Sequence, residues 1–152
     1  MRRTRTLVVA LGLVVAACNG GSGGNTASPY PDCPMPEGGN FSGRWNTNLG
    51  DMTLTQDGAT VVGSWKDLPN HKTGNIEGTV RGCLLFFSWT QTDDTIPGRP
   101  RQTNGRGVLK YVIDPPVGTG LPIHRFEGTW GYDNAVQGGG VWTGRKRREG
   151  GA

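Results

Sequence analysis

Phe41-Ser42-Gly43-Arg44-Trp45, Val61-Val62-Gly63-Ser64-Trp65, Ile76-Glu77-Gly78-Thr79-Val80 and Phe126-Glu127-Gly128-Thr129-Trp130 are four copies of one pattern, apolar-x-Gly-x-apolar. In an extended strand alternate side chains share a face, so each glycine sits between two bulky neighbours on the same side. Glycine weakens a strand interior, yet it permits the sharp bend of a small barrel and leaves room for an adjacent aromatic ring. Outward from these segments the period stays at two. Met52, Leu54 and Gln56 alternate with Thr53 and Thr55, and Asp57-Gly58 is a two-residue hairpin signal. We read eight short strands, over about 41–45, 52–56, 60–65, 74–80, 83–90, 105–113, 124–131 and 136–144. The fold class expected is all-β: a single eight-stranded antiparallel up-and-down barrel, whose closure removes exposed edges.

Composition agrees. Of 152 residues, 27 are glycine and 10 proline, and each glycine inside a helix costs about 1 kcal/mol. Helical bundles are thereby excluded. Five Trp, four Phe and three Tyr exclude wholesale disorder.

The first 17 residues read as a leader. Arg2, Arg3 and Arg5 form a basic segment, followed by apolar residues from Leu7 to Ala17 broken only by Gly12. Those eleven residues are too few for a span, which needs about 20, and suit a secretory signal peptide. The stretch Val15-Ala16-Ala17-Cys18 resembles the bacterial lipobox, in which small residues precede a Cys that becomes the lipidated N-terminus. The resemblance implies a diacylglyceryl thioether on Cys18 and a further acyl chain, such as palmitate, on its amine. Several chains anchor stably where one does not. Asn19, rather than Asp, follows the Cys, which implies an outer-membrane location in the cell envelope. Gly20 to Asn25 and Pro29, Pro31, Pro34 and Pro36 then read as a tether. The expected organisation is signal peptide 1–17, lipidated Cys and linker 18–40, barrel 41–146 and basic tail 147–152.

Charge narrows the partners. The formal +4 includes three leader arginines, and removing them leaves thirteen Lys and Arg against twelve Asp and Glu. Four of those bases are Arg145, Lys146, Arg147 and Arg148. The basic balance is two short segments rather than a basic domain, and no nucleic-acid partner is expected.

In an up-and-down barrel alternate loops fall at opposite ends. Loops near 48–50, 67–73, 91–104 and 132–135 share one end, with His71 and Asp93-Asp94. Loops 57–58, 81–82 and 114–123 share the other. A barrel of eight strands has room inside for side chains or one small ligand. Any pocket is expected to open at the end with the longer loops.

Gly43-Arg44-Trp45 with an Arg at the end of the last strand resembles the calycin superfamily of lipocalins and avidins. There the Trp crosses the barrel floor and the Arg lies over it, a cation–π contact. The resemblance places Trp45 and Arg145 in those roles. Residues 41–50 are particularly similar to the avidin first strand. Avidins, however, have Asn two residues after that Trp and Ser after the Leu-Gly, where this chain has Thr47 and Asp51. The resemblance therefore implies the barrel and not the vitamin.

Cys33 and Cys83 remain after Cys18 is lipidated, an even number in an oxidising compartment, and are expected to pair. Their bond would close a loop of about 50 residues, worth about 4 kcal/mol in the chain-entropy model. His71 and His124 lie on opposite ends and specify no metal site or triad. Asp93-Asp94 reads as a solvated loop. No phosphate loop, nucleophile elbow or zinc spacing is present, so no enzymatic activity, metal or cofactor is expected. Trp65, Trp89, Trp130 and Trp142 read as core, or as pocket walls with Thr47 and Asp51.

The leading expectation is a lipid-anchored, non-enzymatic barrel that binds a small or peptide-like ligand at its open end. Two alternatives stand beside it. One is a protein-binding module resembling small periplasmic protease inhibitors, whose trunk would be residues 28–37 and whose partner would be a periplasmic or surface protein. The other is a structural envelope lipoprotein with a filled barrel. For the anchor, Cys18→Ala is expected to abolish partitioning into the detergent phase and the acyl mass of the mature chain. Detergent partitioning retained by that variant would overturn the lipobox.

Overall fold

The computed structural model describes residues 26–149; the expected signal peptide, Cys18 and the first part of the expected linker lie outside them. The chain forms eight antiparallel strands in sequence order, closed into a barrel. They are β1 (Gly43–Thr47), β2 (Gly50–Asp57), β3 (Thr60–Asp67), β4 (Lys72–Arg81), β5 (Leu84–Asp93), β6 (Arg101–Asp114), β7 (Ile123–Tyr132) and β8 (Gly140–Lys146), with one short 3-10 turn at Leu68–Asn70. The all-β, eight-stranded, up-and-down fold expected from the sequence is the fold observed.

The repeated glycines act across strands as much as along them. Trp65 pairs with Gly74, Trp89 with Gly105, and Trp130 with Gly107 and Gly140. Phe87 pairs with Gly78 and Gly107, Phe126 with Gly144, Leu54 with Gly63 and Leu109 with Gly128. Each large side chain lies over the bare backbone of its neighbour: a methyl group on Gly105 would sit 2.7 Å from the Trp89 ring, and one on Gly128 2.5 Å from Leu109. Rings that could not fit side by side in an eight-stranded barrel thereby share its interior.

The seam between the first and last strands is short. Only Trp45↔Lys146, Asn46↔Arg145 and Thr47↔Gly144 pair. Side chains extend it. Asn48 imitates a peptide group, its Nδ2 donating to the Val141 carbonyl (3.0 Å) and its Oδ1 accepting from Thr143 N–H (2.8 Å). Arg147 donates its backbone N–H to Arg44 O (2.7 Å) and its guanidinium to Asp51 (2.6 Å) and to the Asn46 side chain.

Three boundaries differ from the sequence expectation. The last strand starts at Gly140 instead of 136, because 133–139 folds back on β7, with Gly139 N–H donating to Trp130 O (2.9 Å) and Thr129 Oγ1 to Val136 O (2.8 Å). The sixth strand starts at Arg101 instead of 105, since its ladder with β5 continues to Asp93↔Arg101. Most consequentially, the linker expected through residue 40 is bound to the barrel from Ala27 onward. Gln137 Nε2 donates to Ala27 O (3.1 Å), the Tyr30 ring lies 6.0 Å from Lys110 Nζ, and Met35 packs against the core. Cys33 is disulfide-bonded to Cys83, Cα–Cα 5.4 Å, as the cysteine arithmetic anticipated. Gly82, at φ +55°, makes this possible: its turn abuts the Cys33 carbonyl so closely that a Cβ would collide with the oxygen.

The strap ends at Phe41, fully buried, which closes the end of the barrel opposite the long loops. There Phe41, Trp45, Tyr111 and Phe126 interlock, with ring centroids 5.0–6.4 Å apart. Gly144 tests the cross-strand complement cleanly, because the three atoms nearest to an added methyl all belong to the Phe126 ring. Gly144→Ala is expected to cost about 1–3 kcal/mol in denaturant unfolding, and Phe126→Leu in the same chain to recover part of it. Strictly additive costs would show that the pair does not share one space.

Candidate functional site at the mouth of the barrel

The up-and-down order places 48–49, 68–71, 94–100 and 133–139 at one end, the mouth. Two of its loops are tied together, Asp94 N–H donating to His71 O (2.9 Å). Asp93 caps the turn by accepting from the Thr95 side chain and its N–H (2.9 Å), and these hydrogen bonds hold its carboxyl below the usual range. His71 closes the 3-10 turn at φ 52°.

Beneath the loops the upper interior is aromatic. Trp142 meets Trp65 edge-on at 5.6 Å and Phe87 at 5.7 Å. Trp89, Trp130 and Tyr132 form a second cluster, with centroids 5.3–5.8 Å apart. Trp65, Trp89 and Trp142 are buried, Trp130 is half-buried, and Tyr132 is 54% exposed at the rim. The nominated tryptophans thus fill the upper barrel.

The polar groups divide them. Trp142 Nε1 donates to Thr47 Oγ1 (3.1 Å), whose hydroxyl donates to Gly50 O (2.6 Å) and accepts from Leu49 N–H (3.1 Å). At the floor, Trp45 Nε1 donates to Phe41 O (2.9 Å). By contrast Trp65 Nε1, Trp89 Nε1, Trp130 Nε1 and Thr103 Oγ1 are buried and have no hydrogen-bond partner in the protein. An unmatched buried donor costs about 1–3 kcal/mol, and native structures contain few. All four lie in the mouth half. Thr103, absent from the residues nominated by sequence, faces inward beside Trp89, two residues from its partner Gly105. Strand parity marks Thr103 as inward, but nothing in the sequence marks its hydroxyl as unpaired.

Two nominated residues stand elsewhere. Asp51 is on the outer face, exposed and paired with Arg147, so it seals the seam instead of lining a pocket. Arg145 is also outward and exposed. The cation over Trp45 is Lys146, with Nζ 5.5 Å from the ring and bonded to Asn40 O (2.8 Å). Parity explains both corrections. Trp142 faces inward, so the next inward positions are Gly144 and Lys146.

At the closed end a cleft of about 220 Å³ lies between Ile123–His124 and Arg145–Arg148. His124 Nδ1 is hydrogen-bonded to the Tyr111 hydroxyl (2.6 Å). Burial lowers the His124 and Lys146 pKa values and raises that of Tyr111; the Lys146 charge lowers His124 further.

The fold and its mouth define a class: a closed up-and-down barrel with a tryptophan-filled interior, strapped by its own N-terminal segment. Comparisons with protein-family models, with curated proteins and with solved structures find no match.

The histidine shift has a measurable sign. An unfolded His124 takes a proton near pH 6.5 and the folded one below it. The unfolded chain therefore binds more protons in that interval, and stability falls as the pH drops through 6.5 towards the folded value. His124→Gln is expected to flatten this part of the stability–pH curve. An unchanged slope would assign it to other groups.

Proposed function

We propose that this is a lipid-anchored, non-enzymatic envelope protein of calycin-like type that binds a small or peptide-like ligand at the mouth of its barrel. The observation that carries the reading is the set of four buried, unpartnered polar groups under the mouth loops, Trp65, Trp89 and Trp130 N–H and Thr103 O–H. Three of them are pure donors. A ligand that suits them carries acceptor atoms, such as carbonyl or carboxylate oxygens, on a flat body able to slip between aromatic rings. Small-molecule sites combine apolar walls with a few placed polar groups in this way. Tyr132, exposed at the rim, packs edge-on against Trp89 and Trp130 and borders this site.

The calycin-like part of the reading is supported at the floor, where a Trp of the first strand lies under a cation from the last. The anchor rests on the lipobox-like Val15-Ala16-Ala17-Cys18, outside the described residues. The trunk considered for a protease-inhibitor role instead lies along the barrel wall and is held by the disulfide.

Native mass spectrometry of the mature protein purified from its own host is expected to show a co-purifying small molecule. Thr103→Val removes the hydroxyl while keeping the shape, and is expected to weaken ligand binding about 3- to 10-fold while the stability of the ligand-free protein is kept or raised. Bare protein, together with no thermal shift across a broad library of acceptor-rich compounds, would sink the reading.

A further inference from the structure

The closed end carries features that mouth binding leaves unused. The first is a gap in the barrel wall. The β7–β8 ladder stops at Arg125↔Arg145, whereas β8 continues along β1 through Trp45↔Lys146 and the Arg147 N–H bond to Arg44. The two strands part below that point, and the basic cleft lies in the opening. Two of its four consecutive bases are already engaged, Arg147 by Asp51 and Lys146 by Asn40. Arg145 and Arg148 are exposed and make no ion pair among the described residues. Of the nearby acids, Asp114 and Glu127 are paired with Arg125 (2.7 and 3.0 Å), and Glu149, which follows Arg148, is exposed and makes no ion pair among the described residues.

The second feature is the loop leading into β7. Residues 115–122, Pro-Pro-Val-Gly-Thr-Gly-Leu-Pro, contain no charge, and Val117 and Leu121 are 88% and 62% exposed. The mouth also exposes apolar tips, Leu68 and Ile96, where Asp67, Asp93, Asp94 and Asp133 are mixed with Arg99 and Arg101. At the closed end the exposed tips lie beside a run of four bases instead.

We propose that the closed end docks on an anionic bilayer, with Val117 and Leu121 entering the interface and a lipid phosphate seated in the cleft beside Arg145 and Arg148. Guanidinium groups match phosphate oxygens in pairs, and each base near an anionic surface adds attraction. The inference builds on the lipid-anchored reading, which brings the chain to a membrane. Ala27 is bonded to Gln137 in the mouth loop 133–139, so in this pose the nine residue steps from Cys18 to Ala27, at most about 30 Å, run back along the barrel wall to the bilayer. In this pose the mouth opens away from the bilayer, towards its ligand.

The full mature protein in nanodiscs tests this. With Cys18 acylated and Cys33–Cys83 bonded, Val117→Cys supplies one free thiol for an environment-sensitive fluorophore, and Ile96→Cys supplies a control at the mouth. In discs containing phosphatidylglycerol, the V117C label is expected to shift to the blue and be quenched by doxyl lipid. In pure phosphatidylcholine discs, or with the I96C label, neither is expected. Arg145→Gln with Arg148→Gln is expected to weaken sedimentation of the detergent-free, unacylated full chain with phosphatidylglycerol vesicles about 30-fold, with thermal stability preserved. A V117C label indifferent to lipid charge, or quenching at Ile96 instead, overturns the docking. So does glycerol phosphate binding in the cleft without any lipid response, which would make the ligand a free anion. Intact mass separates the two readings: a chain lacking the acyl groups refutes the anchor, while sedimentation still decides the docking.

Discussion

The barrel depends on one steric constraint: a large side chain on one strand occupies the space that a glycine leaves on the next. Eight strands enclose an interior with room for few rings side by side, yet Trp65, Phe87, Trp89, Phe126, Trp130 and Trp142 all point inward. They fit because Gly74, Gly78, Gly105, Gly107, Gly128, Gly140 and Gly144 face them. The pattern recurs in three hairpins. Trp65 on β3, Trp89 on β5 and Trp130 on β7 each cover a glycine on the following strand. The glycine excess that excludes helices is therefore what allows an aromatic core.

The same constraint accounts for the polar imbalance. A ring laid against the wall turns its nitrogen edge towards neighbouring backbone already committed to ladder bonds. Trp65 Nε1 is among the atoms nearest to the position a Cβ on Gly74 would take, and Trp130 Nε1 is among those nearest to that of Gly140. The three tryptophans placed by this repeat are the three with unpaired N–H groups. Trp45 and Trp142 escape because an acceptor outside the ladder bonds lies beside each, the Phe41 carbonyl for one and the Thr47 hydroxyl for the other. Packing thus explains how the donors came to be unpaired, and their confinement to the mouth half gives a ligand something to satisfy.

Much of this was legible in the residues. Alternation, the Asp57-Gly58 turn and the spacing of Gly-x-apolar segments carried the strand count, the topology and the end on which each loop falls. The even cysteine count carried the disulfide. What escaped has identifiable causes. Residues 27–40 lack any period, since the strap is held by point contacts and one disulfide and not by a ladder, so composition suggested a free tether. Three consecutive glycines at 138–140 let the strand before them dissolve into a fold-back. The exchange of Arg145 for Lys146 was open to parity counting from Trp142, but the family resemblance asks for an arginine. Nothing in the order of residues reveals that Asp51 meets Arg147 across the seam, because that contact exists only once the barrel has closed.

The two ends of the molecule are consequently unlike in kind. At the closed end each indole or phenol has a partner: Trp45 has Phe41 O, Tyr111 has His124, and Phe41 N–H donates to Gln56 Oε1 (2.9 Å). The disulfide and the strap hold that end from outside. At the mouth the aromatic clusters are equally dense, but three of four indoles lack partners and the rim exposes Tyr132, Leu68 and Ile96. Stability is concentrated where the chain enters the barrel, and unmet hydrogen-bonding capacity at the mouth. Local opening is drawn from regions with the fewest satisfied contacts, so admission of a ligand at the mouth would leave the floor, the seam and the basic cleft undisturbed. A barrel docked by its closed end, as proposed, would keep that contact if its mouth opened.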